Sequence, residues 1–196
     1  MWNIKTPGIP DELFDRDEGV PITKEEVRVV QISKARLKPR MIVYDIGCGS
    51  GSISVEAALQ VEHSGHVHAI DNDVKAIELT KKNLTKFGIT NVSTVNKDAN
   101  ESVSQLPEAD AIFIGGTGKE TKEIVRLCQD KLKQGGRIVI GMILIETIFS
   151  VLSLIQELSF NSVDITQVTI SKSRKTSTGT MMLARNPVTV LSATKS

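Results

Sequence analysis

The residues best suited to chemistry lie in Val43-Tyr44-Asp45-Ile46-Gly47-Cys48-Gly49-Ser50-Gly51, an apolar run that breaks into glycines at alternate positions before a helical pattern resumes. It reads as a buried strand, a tight turn and a helix N-terminus. Such a junction is expected to aim free backbone N–H groups and the positive end of a helix at whatever sits above the turn. Glycine lets a ligand come within contact distance of the main chain. About twenty residues on, Val67-His68-Ala69-Ile70-Asp71 ends a second apolar run in an acid, where a carboxylate can take both hydroxyls of a ribose. Together the two stretches predict a pocket for a nucleoside-type ligand.

The spacing narrows that ligand. A dinucleotide fold wants a third glycine at the sixth motif position to seat the helix against the strand, and Ser52 stands there instead. The pattern G-x-G-x-G preceded by Asp45 is the form typical of S-adenosylmethionine (AdoMet) pockets, which hold no pyrophosphate. Cys48 lacks an accompanying histidine motif, so it is read as a small residue that fits the turn rather than as a nucleophile. His63, His66 and His68 lack the i, i+4 spacing of a zinc site, and no protein-bound metal is expected. Gly116-Thr117-Gly118-Lys119 fails as a phosphate loop, because Phe113 stands where G-x-x-x-x-G-K-[ST] needs its first glycine and Glu120 follows the lysine. Asn186-Pro187 is followed by Val188, which departs from the Asn-Pro-Pro-aromatic motif of amino-group methyltransferases.

The elements that must position these residues follow from periodicity. From Met41 onward short apolar runs at 41–46, 66–71, 91–96, 110–115 and 136–142 alternate with amphipathic ones near 52–61, 73–87, 118–133 and 146–158. This is the pattern of a parallel sheet covered on both faces. Right-handed crossovers bring Gly47 to Gly51, Asp71, Asp98-Ala99 and Gly115-Gly116-Thr117-Gly118 to one sheet edge. Two later alternating runs, 163–172 and 180–191, are separated by a loop too short for a crossover, so they must pair antiparallel at the far edge. Residues 1–22 read as an arm or lid and 23–196 as one domain. The second opens on Thr23-Lys24-Glu25-Glu26, a capping box with Ile22 and Val27 as hydrophobic staple, and its first helix is expected to run to about Leu37.

Composition sets limits on this picture. A chain of 196 residues with 40% hydrophobic and 24% charged residues can bury one sizeable core. Lys plus Arg number 24 and Asp plus Glu 23, so a net charge of +1 gives no field for nucleic acid or membrane. No apolar run approaches the ~18 residues that span a bilayer. Met1 to Lys5 lack the layout of a signal peptide, so a cytoplasmic protein is expected. Cys48 and Cys128 are expected to be free thiols.

The arm Gly8-Ile9-Pro10-Asp11-Glu12-Leu13-Phe14, the helix start Pro21 to Arg28, the turn Asp45 to Gly51, Phe113-Ile114-Gly115-Gly116, and Gly179-Thr180-Met181-Met182 with Arg185-Asn186-Pro187 carry a resemblance across nearly the whole chain. The sequence resembles the decarboxylating C15-methyltransferases of cobalamin biosynthesis, also called precorrin-8W decarboxylases, within the class I AdoMet-dependent methyltransferases. The resemblance implies a doubly wound, Rossmann-like α/β fold of seven strands, five parallel and a C-terminal antiparallel hairpin. It implies methylation of C15 of cobalt-precorrin-6B with loss of carbon dioxide from the C12 acetate, the cobalt belonging to the substrate. It also implies a homo-oligomer, a tetramer in this family.

Carried over by position, the cofactor contacts fall on Thr23, Gly47, Cys48, Gly49, Ser50, Gly51, Asp71 and Ala99. Two places depart from the family pattern: the loop after the fourth strand has Thr117 and Lys119 in place of a Gly-Gly-Ser-Gly-Gly run, and Asn100 replaces a proline. A substrate rich in carboxylates calls for basic groups at the crevice mouth. Lys119, Lys172, Arg174 and Lys175 are the candidates, with Gly116 and Thr117 beside them; no catalytic acid or base is assigned. Lys81, Lys82 and Lys86 read as a solvated helix face. The alternative is an AdoMet-dependent enzyme acting on transfer RNA or another macromolecule, which would normally add a basic stripe, stacking aromatics or a further domain. One Trp, one Tyr and the even charge balance argue against it. A nicotinamide oxidoreductase, disfavoured by Ser52 and the hairpin, and a scaffold without catalysis are the other rivals.

Overall fold

The computed structural model describes residues 2, 4–158 and 160–196; Met1 and Asn3 of the expected arm, and Ser159 before the closing strands, lie outside the described residues. Helix α1 (Glu25–Ala35) precedes an alternation of β1 (Ile42–Ile46), α2 (Ser52–Val61), β2 (His66–Asp71), α3 (Val74–Phe87), β3 (Val92–Asn96), α4 (Ala99–Ser102), β4 (Ala109–Ile114), α5 (Thr121–Lys131), β5 (Leu132–Met142) and α6 (Ile145–Glu157). Four strands close the chain, β6 (Phe160–Val168), β7 (Ser171–Thr176), β8 (Gly179–Ala184) and β9 (Val188–Lys195). The main sheet runs β3-β2-β1-β4-β5-β9-β6, with the first five strands parallel and β9 antiparallel to both neighbours. Strand order reverses between β1 and β4, which puts the turn after β1 at the switch point where doubly wound sheets take ligands.

The central strands β1 and β4 and the second half of β5 are buried on both faces, which explains their nearly continuous apolar runs, whereas the edge strands β3 and β6 are largely part-exposed or exposed. Tyr44, Ile46, Ile112, Ile114, Ile138 and Ile140 belong to one core with α5 and α6 residues. Their neighbours Val43, Phe113, Val139 and Val190 join a second core with Val27 and Ile32 of α1 and Ile53 and Ala57 of α2. Cys48 and Cys128 are buried free thiols, as expected. Among the described residues no helix is long and apolar enough to cross a membrane.

The closing hairpin differs in detail from the expectation. The two antiparallel sheet strands are β6 and β9, and the segment between them folds back as a separate two-stranded ribbon, β7 paired with β8. Much of the expected loop 171–179 is therefore strand. Pro187 has no N–H to continue the ladder from β9, so the pairing ends at Val168 with Val188 and the ribbon departs there. The expected capping box is also absent: Lys24 is the residue before α1, with no side-chain cap bond. The acceptor comes instead from the arm, where Asp11 Oδ1 takes the Glu25 N–H at 2.9 Å, while Glu26 faces Lys172 and Arg185. Ile22 packs with the arm and Val27 with the sheet, so they form no staple. Helix α1 ends at Ala35, where Arg36 adopts a left-handed conformation.

The arm is held by a buried charge network. Arg28, 0% exposed, donates from Nε to Glu56 Oε1 at 2.6 Å, from Nη1 to Asp11 Oδ1 at 3.3 Å and to the Thr23 carbonyl, and from Nη2 to the Ile9 carbonyl. Glu56 in turn accepts the N–H groups of Gly8 and Ile9, each at 3.0 Å. The Arg28 guanidinium lies over the Phe14 ring at 4.8 Å, and Ile9 and Phe14 pack against Val55, Leu84 and Phe87. Further along, Asp15 takes Lys82 at 3.1 Å and Lys86 at 2.5 Å, so two lysines read as a solvated face also tether the arm. Removing Arg28 would leave the buried Glu56 carboxylate without its cation and Asp11 with only the longer ion pairs to Arg16, Lys24 and Arg185. Arg28→Ala is therefore expected to lower stability by about 3–5 kcal/mol, measured by urea denaturation, and to expose residues 2–22 to limited proteolysis; an arm that stays protected would refute this account of its anchoring.

Candidate active site

The turn after β1 is fixed from three directions. The N–H groups of Gly47 and Cys48 both reach the Ile70 carbonyl at the end of β2, and that of Ser50 reaches the Pro21 carbonyl of the arm. Gly49 donates to Asp71 Oδ2 at 3.0 Å, and Gly51 to the Cys48 carbonyl at 2.8 Å. From α3, Thr80 Oγ1 binds the Gly49 carbonyl and Asn83 Nδ2 the Ser50 carbonyl. Gly47, at φ 72°, passes so close to the next loop that a Cβ there would lie 1.8 Å from the Gly115 carbonyl oxygen. The glycines thus admit neighbouring main chain as well as a ligand. All five N–H groups of residues 47–51 are taken within the protein, contrary to the expectation that they point free at a ligand.

Two adjoining chambers, each of about 430 Å³, open along the C-terminal sheet edge and share Pro21, Gly47, Gly116, Thr117 and Gly118. Ile46, Ile70, Asp71, Asp98, Ala99 and Lys119 help to line the first. Thr23, Lys24, Gln31, Cys48, Gly49 and Met142 help to line the second, along with several further apolar side chains. Of the residues expected to contact cofactor, Gly47, Asp71 and Ala99 meet in the first chamber, and Gly47 again, Thr23, Cys48 and Gly49 in the second. Ser50 and Gly51 line neither. Gly116 and Thr117 stand at the junction, and Lys119 lines the first chamber but not the second. Arg174 and Lys175, on β7, line neither chamber and are exposed. Lys172 is committed to Glu25 at 3.2 Å and Glu26 at 3.0 Å, bonds that raise its pKa.

The electrostatics favour a cationic ligand. Asp71 is held with Oδ2 on the Gly49 N–H and Oδ1 on the Asp73 N–H, both at 3.0 Å, which leaves each oxygen a further lone pair. Asp98 caps α4 through the Asn100 N–H at 2.8 Å. Asp45 lies at the base of the second chamber, 2% exposed, and accepts the Ser54 hydroxyl at 2.5 Å. Burial pushes its pKa up from 3.8 to about 6. Burial likewise pushes the Cys48 thiol upward, which is the opposite of a nucleophile's activation. His66 and His68 meet edge to face on β2 and line neither chamber. Sequence reasoning missed Asp11, Arg28, Glu56 and Gln31. The available signal was a polar or charged residue on the apolar side of a helix: Arg28 and Gln31 among Val27, Ile32 and Ala35, and Glu56 between Val55 and Ala57.

Comparison with known proteins places this geometry among close relatives. A family model described as precorrin methyltransferase domain matches residues 12–195. A protein of Saccharolobus solfataricus named probable cobalt-precorrin-6B C(15)-methyltransferase (decarboxylating) is 47% identical over 196 residues, covering 99% of this chain and 98% of that protein. The crystal structure of precorrin 8W decarboxylase from Methanobacterium thermoautotrophicum aligns with a TM-score of 0.89 at 38% identity, covering 94% of this chain and 98% of that one. That of precorrin-6y C5,15-methyltransferase from Geobacter metallireducens aligns with the same TM-score at 32% identity, covering 97% and 98%.

The raised pKa of Asp45 fixes a pH dependence. A folded-state pKa of about 6 against an ordinary 3.8 means that the stabilising contribution of the protonated acid is complete below about pH 4 and lost as pH rises through 6. Asp45→Asn keeps an acceptor for Ser54 without the charge. Relative to wild type, the variant should gain stability above pH 6, by about 3 kcal/mol at most, and the gain should vanish near pH 4. Urea denaturation at pH 4, 6 and 8 measures it; a pH-independent difference would refute the assignment.

Proposed function

This chain belongs to the precorrin methyltransferase family, and from that premise we propose that it methylates C15 of cobalt-precorrin-6B with AdoMet as donor and releases the C12 acetate carboxyl as carbon dioxide, giving cobalt-precorrin-7. The observation that carries the reading is a chamber with an anchored acid adjoining, at the glycine turn, a more apolar chamber of the same volume. The donor set fits AdoMet better than a dinucleotide: with every N–H of residues 47–51 engaged, nothing in the turn is left to cradle a pyrophosphate, while in the first chamber Asp71, Asp73, Asp98 and Glu120 outnumber Lys97 and Lys119, which suits a positively charged nucleoside. AdoMet, when bound, supplies an electrophilic methyl group on a sulfonium.

The chain's own residues bind and align. Asp71 would take the ribose hydroxyls on its remaining lone pairs, with Ile46, Ile70, Ala99 and Ile124 offering apolar surface to the adenine. Thr23, Gly47, Cys48 and Gly49 would line the passage toward the second chamber, where Val27, Ile53, Met142 and Val188 would hold the macrocycle and exclude water. The carbon–carbon bond at C15 would form from an electron pair of the ring as the methyl–sulfur bond breaks and its pair stays on the departing sulfur, which leaves the ring electron-poor. Cleavage of the bond between the C12 methylene and its carboxylate returns an electron pair to the ring as carbon dioxide departs. No protein base is required by that balance, which agrees with a site whose one deeply buried acid, Asp45, is bonded to Ser54.

The reading extends to an arm or lid, residues 1–22, ahead of a domain 23–196, and to a cytoplasmic homotetramer. Exposed apolar side chains support the assembly: Ile145 and Phe149 of α6 are 80% and 74% exposed, and Met182 of β8 62%. Light scattering should give four times the mass of one chain.

The decisive assay is mass spectrometry of a cobalt-precorrin-6B incubation. One product that has gained a methyl and lost carbon dioxide is expected, whereas a methylated product retaining the carboxyl, or methylation of bulk transfer RNA, would overturn the reading. By calorimetry, Asp71→Ala should weaken AdoMet at least about tenfold, the loss expected for hydrogen bonds to a charged acceptor. Thr117→Val, at the chamber junction, should leave AdoMet affinity unchanged and lower turnover only modestly.

A further inference from the structure

The second chamber is too small for a whole tetrapyrrole. Drug-sized ligands already occupy pockets of about 300–1,000 Å³, and a four-ring macrocycle with carboxylate arms needs the upper end of that range or more. The chamber measures about 430 Å³. It has room for one edge of the ring, the one carrying C15 and the C12 acetate, and the remainder must rest outside.

The lining itself runs outward in one direction. Met142 closes β5 at 4% exposed, while Ile143 and Leu144, which follow it, are 62% and 54% exposed and still line the chamber. Side chains that line a cavity and meet solvent at once stand at its mouth. Single exposed aliphatic residues are ordinary, but two in succession that prolong an apolar wall mark a contact surface. Local structure offers no other reason for them. Leu144 holds the position before α6 where a side-chain oxygen would cap the helix, and no side-chain cap bond is made there.

Charge at the mouth selects the occupant. Among the described residues that line this chamber Lys24 is the one cation, and Asp45, the one acid, is buried. Lys24 Nζ lies 3.9 Å from Asp11 Oδ2, beyond hydrogen-bond reach. An aliphatic shelf beside a lysine matches a ring with an apolar face and a carboxylate rim. Ile145 and Phe149 line neither chamber and are the side chains left for a second copy of this chain.

We propose that Ile143 and Leu144 form a shelf on which the part of the tetrapyrrole outside the second chamber lies, face against side chain, so that only the reacting edge enters. This rests on the functional reading above and adds how the ring is held. Contact remote from the reacting atoms is the same before and during methyl transfer, so it acts on binding rather than on the chemical step.

Leu144→Ser supplies the missing helix cap, and Ile143→Ser alters a side chain that is mostly in solvent, so neither variant should lower Tm. Binding of a cobalt corrin bearing free side-chain carboxylates, followed by visible absorbance, should weaken about fivefold in each, the loss expected for uncovering about half of a large aliphatic side chain. The double variant should lose more than either, and KM for cobalt-precorrin-6B should rise with kcat little changed. AdoMet affinity by calorimetry and mass by light scattering should match wild type. Unchanged corrin affinity in the double variant, or weaker affinity accompanied by a change in mass or a lower Tm, overturns the assignment while the functional reading stands. Wild-type protein that binds AdoMet but no corrin removes that reading, and the shelf falls with it.

Discussion

A single guanidinium organises the access to this site. Arg28 lies out of water between Asp11 of the arm and Glu56 of α2, and it also gathers the carbonyls of Ile9 and Thr23. A lone buried guanidinium would be prohibitive, and so would Glu56 without it, while Asp11 also keeps longer ion pairs to Arg16, Lys24 and Arg185. The network therefore acts as a register pin. The arm it fixes brings Pro21 to the turn after β1, where the Pro21 carbonyl takes the Ser50 N–H, and brings Asp11 to the first N–H of α1. Arm, α1, α2 and turn are consequently one mechanical unit.

That unit explains the character of the ligand site. In many doubly wound folds the glycine turn leaves N–H groups free, and the helix dipole behind them draws a phosphate. Here the turn is closed on itself, on β2 and on the arm, and the charged groups nearest it, Asp45 and Asp71, are carboxylates. Asp71 is oriented by main-chain bonds on both oxygens, so it meets a ribose preorganised, with little side-chain entropy left to lose. Asp45 is buried deeper and is destabilised by its own charge near neutral pH. A site that retains such an acid spends stability on local electrostatics, a common trade at functional positions.

The second chamber works by a different principle. Its lining is largely apolar, and its interior polar groups are few and singly placed, so shape and exclusion of water dominate over charge pairing. This suits a reaction on a large conjugated ring, whose own electrons form one bond and accept the pair released from another, and which needs orientation more than proton transfer.

Sequence alone determined the elements that depend on short-range patterns. Apolar runs bounded by turn residues located the five parallel strands to within a few residues at their ends, apart from β5, which begins at Leu132 rather than 136. The glycine spacing with Ser52 located the turn, and Asp71 at the end of β2 lies 3.0 Å from it as a doubly wound order requires. These succeed because period, turn chemistry and crossover handedness are set within a few tens of residues. The tertiary structure decided what rests on distant partners: that Asp11 rather than Thr23 caps α1, that the turn's N–H groups are consumed, that the closing hairpin divides at Pro187, that Arg174 and Lys175 stand apart from both chambers, and that the Gln31 amide oxygen is buried without a partner among the described residues. Each is a matter of which polar groups meet after the chain has folded, and no local pattern records whether a buried hydrogen-bonding group has found its mate.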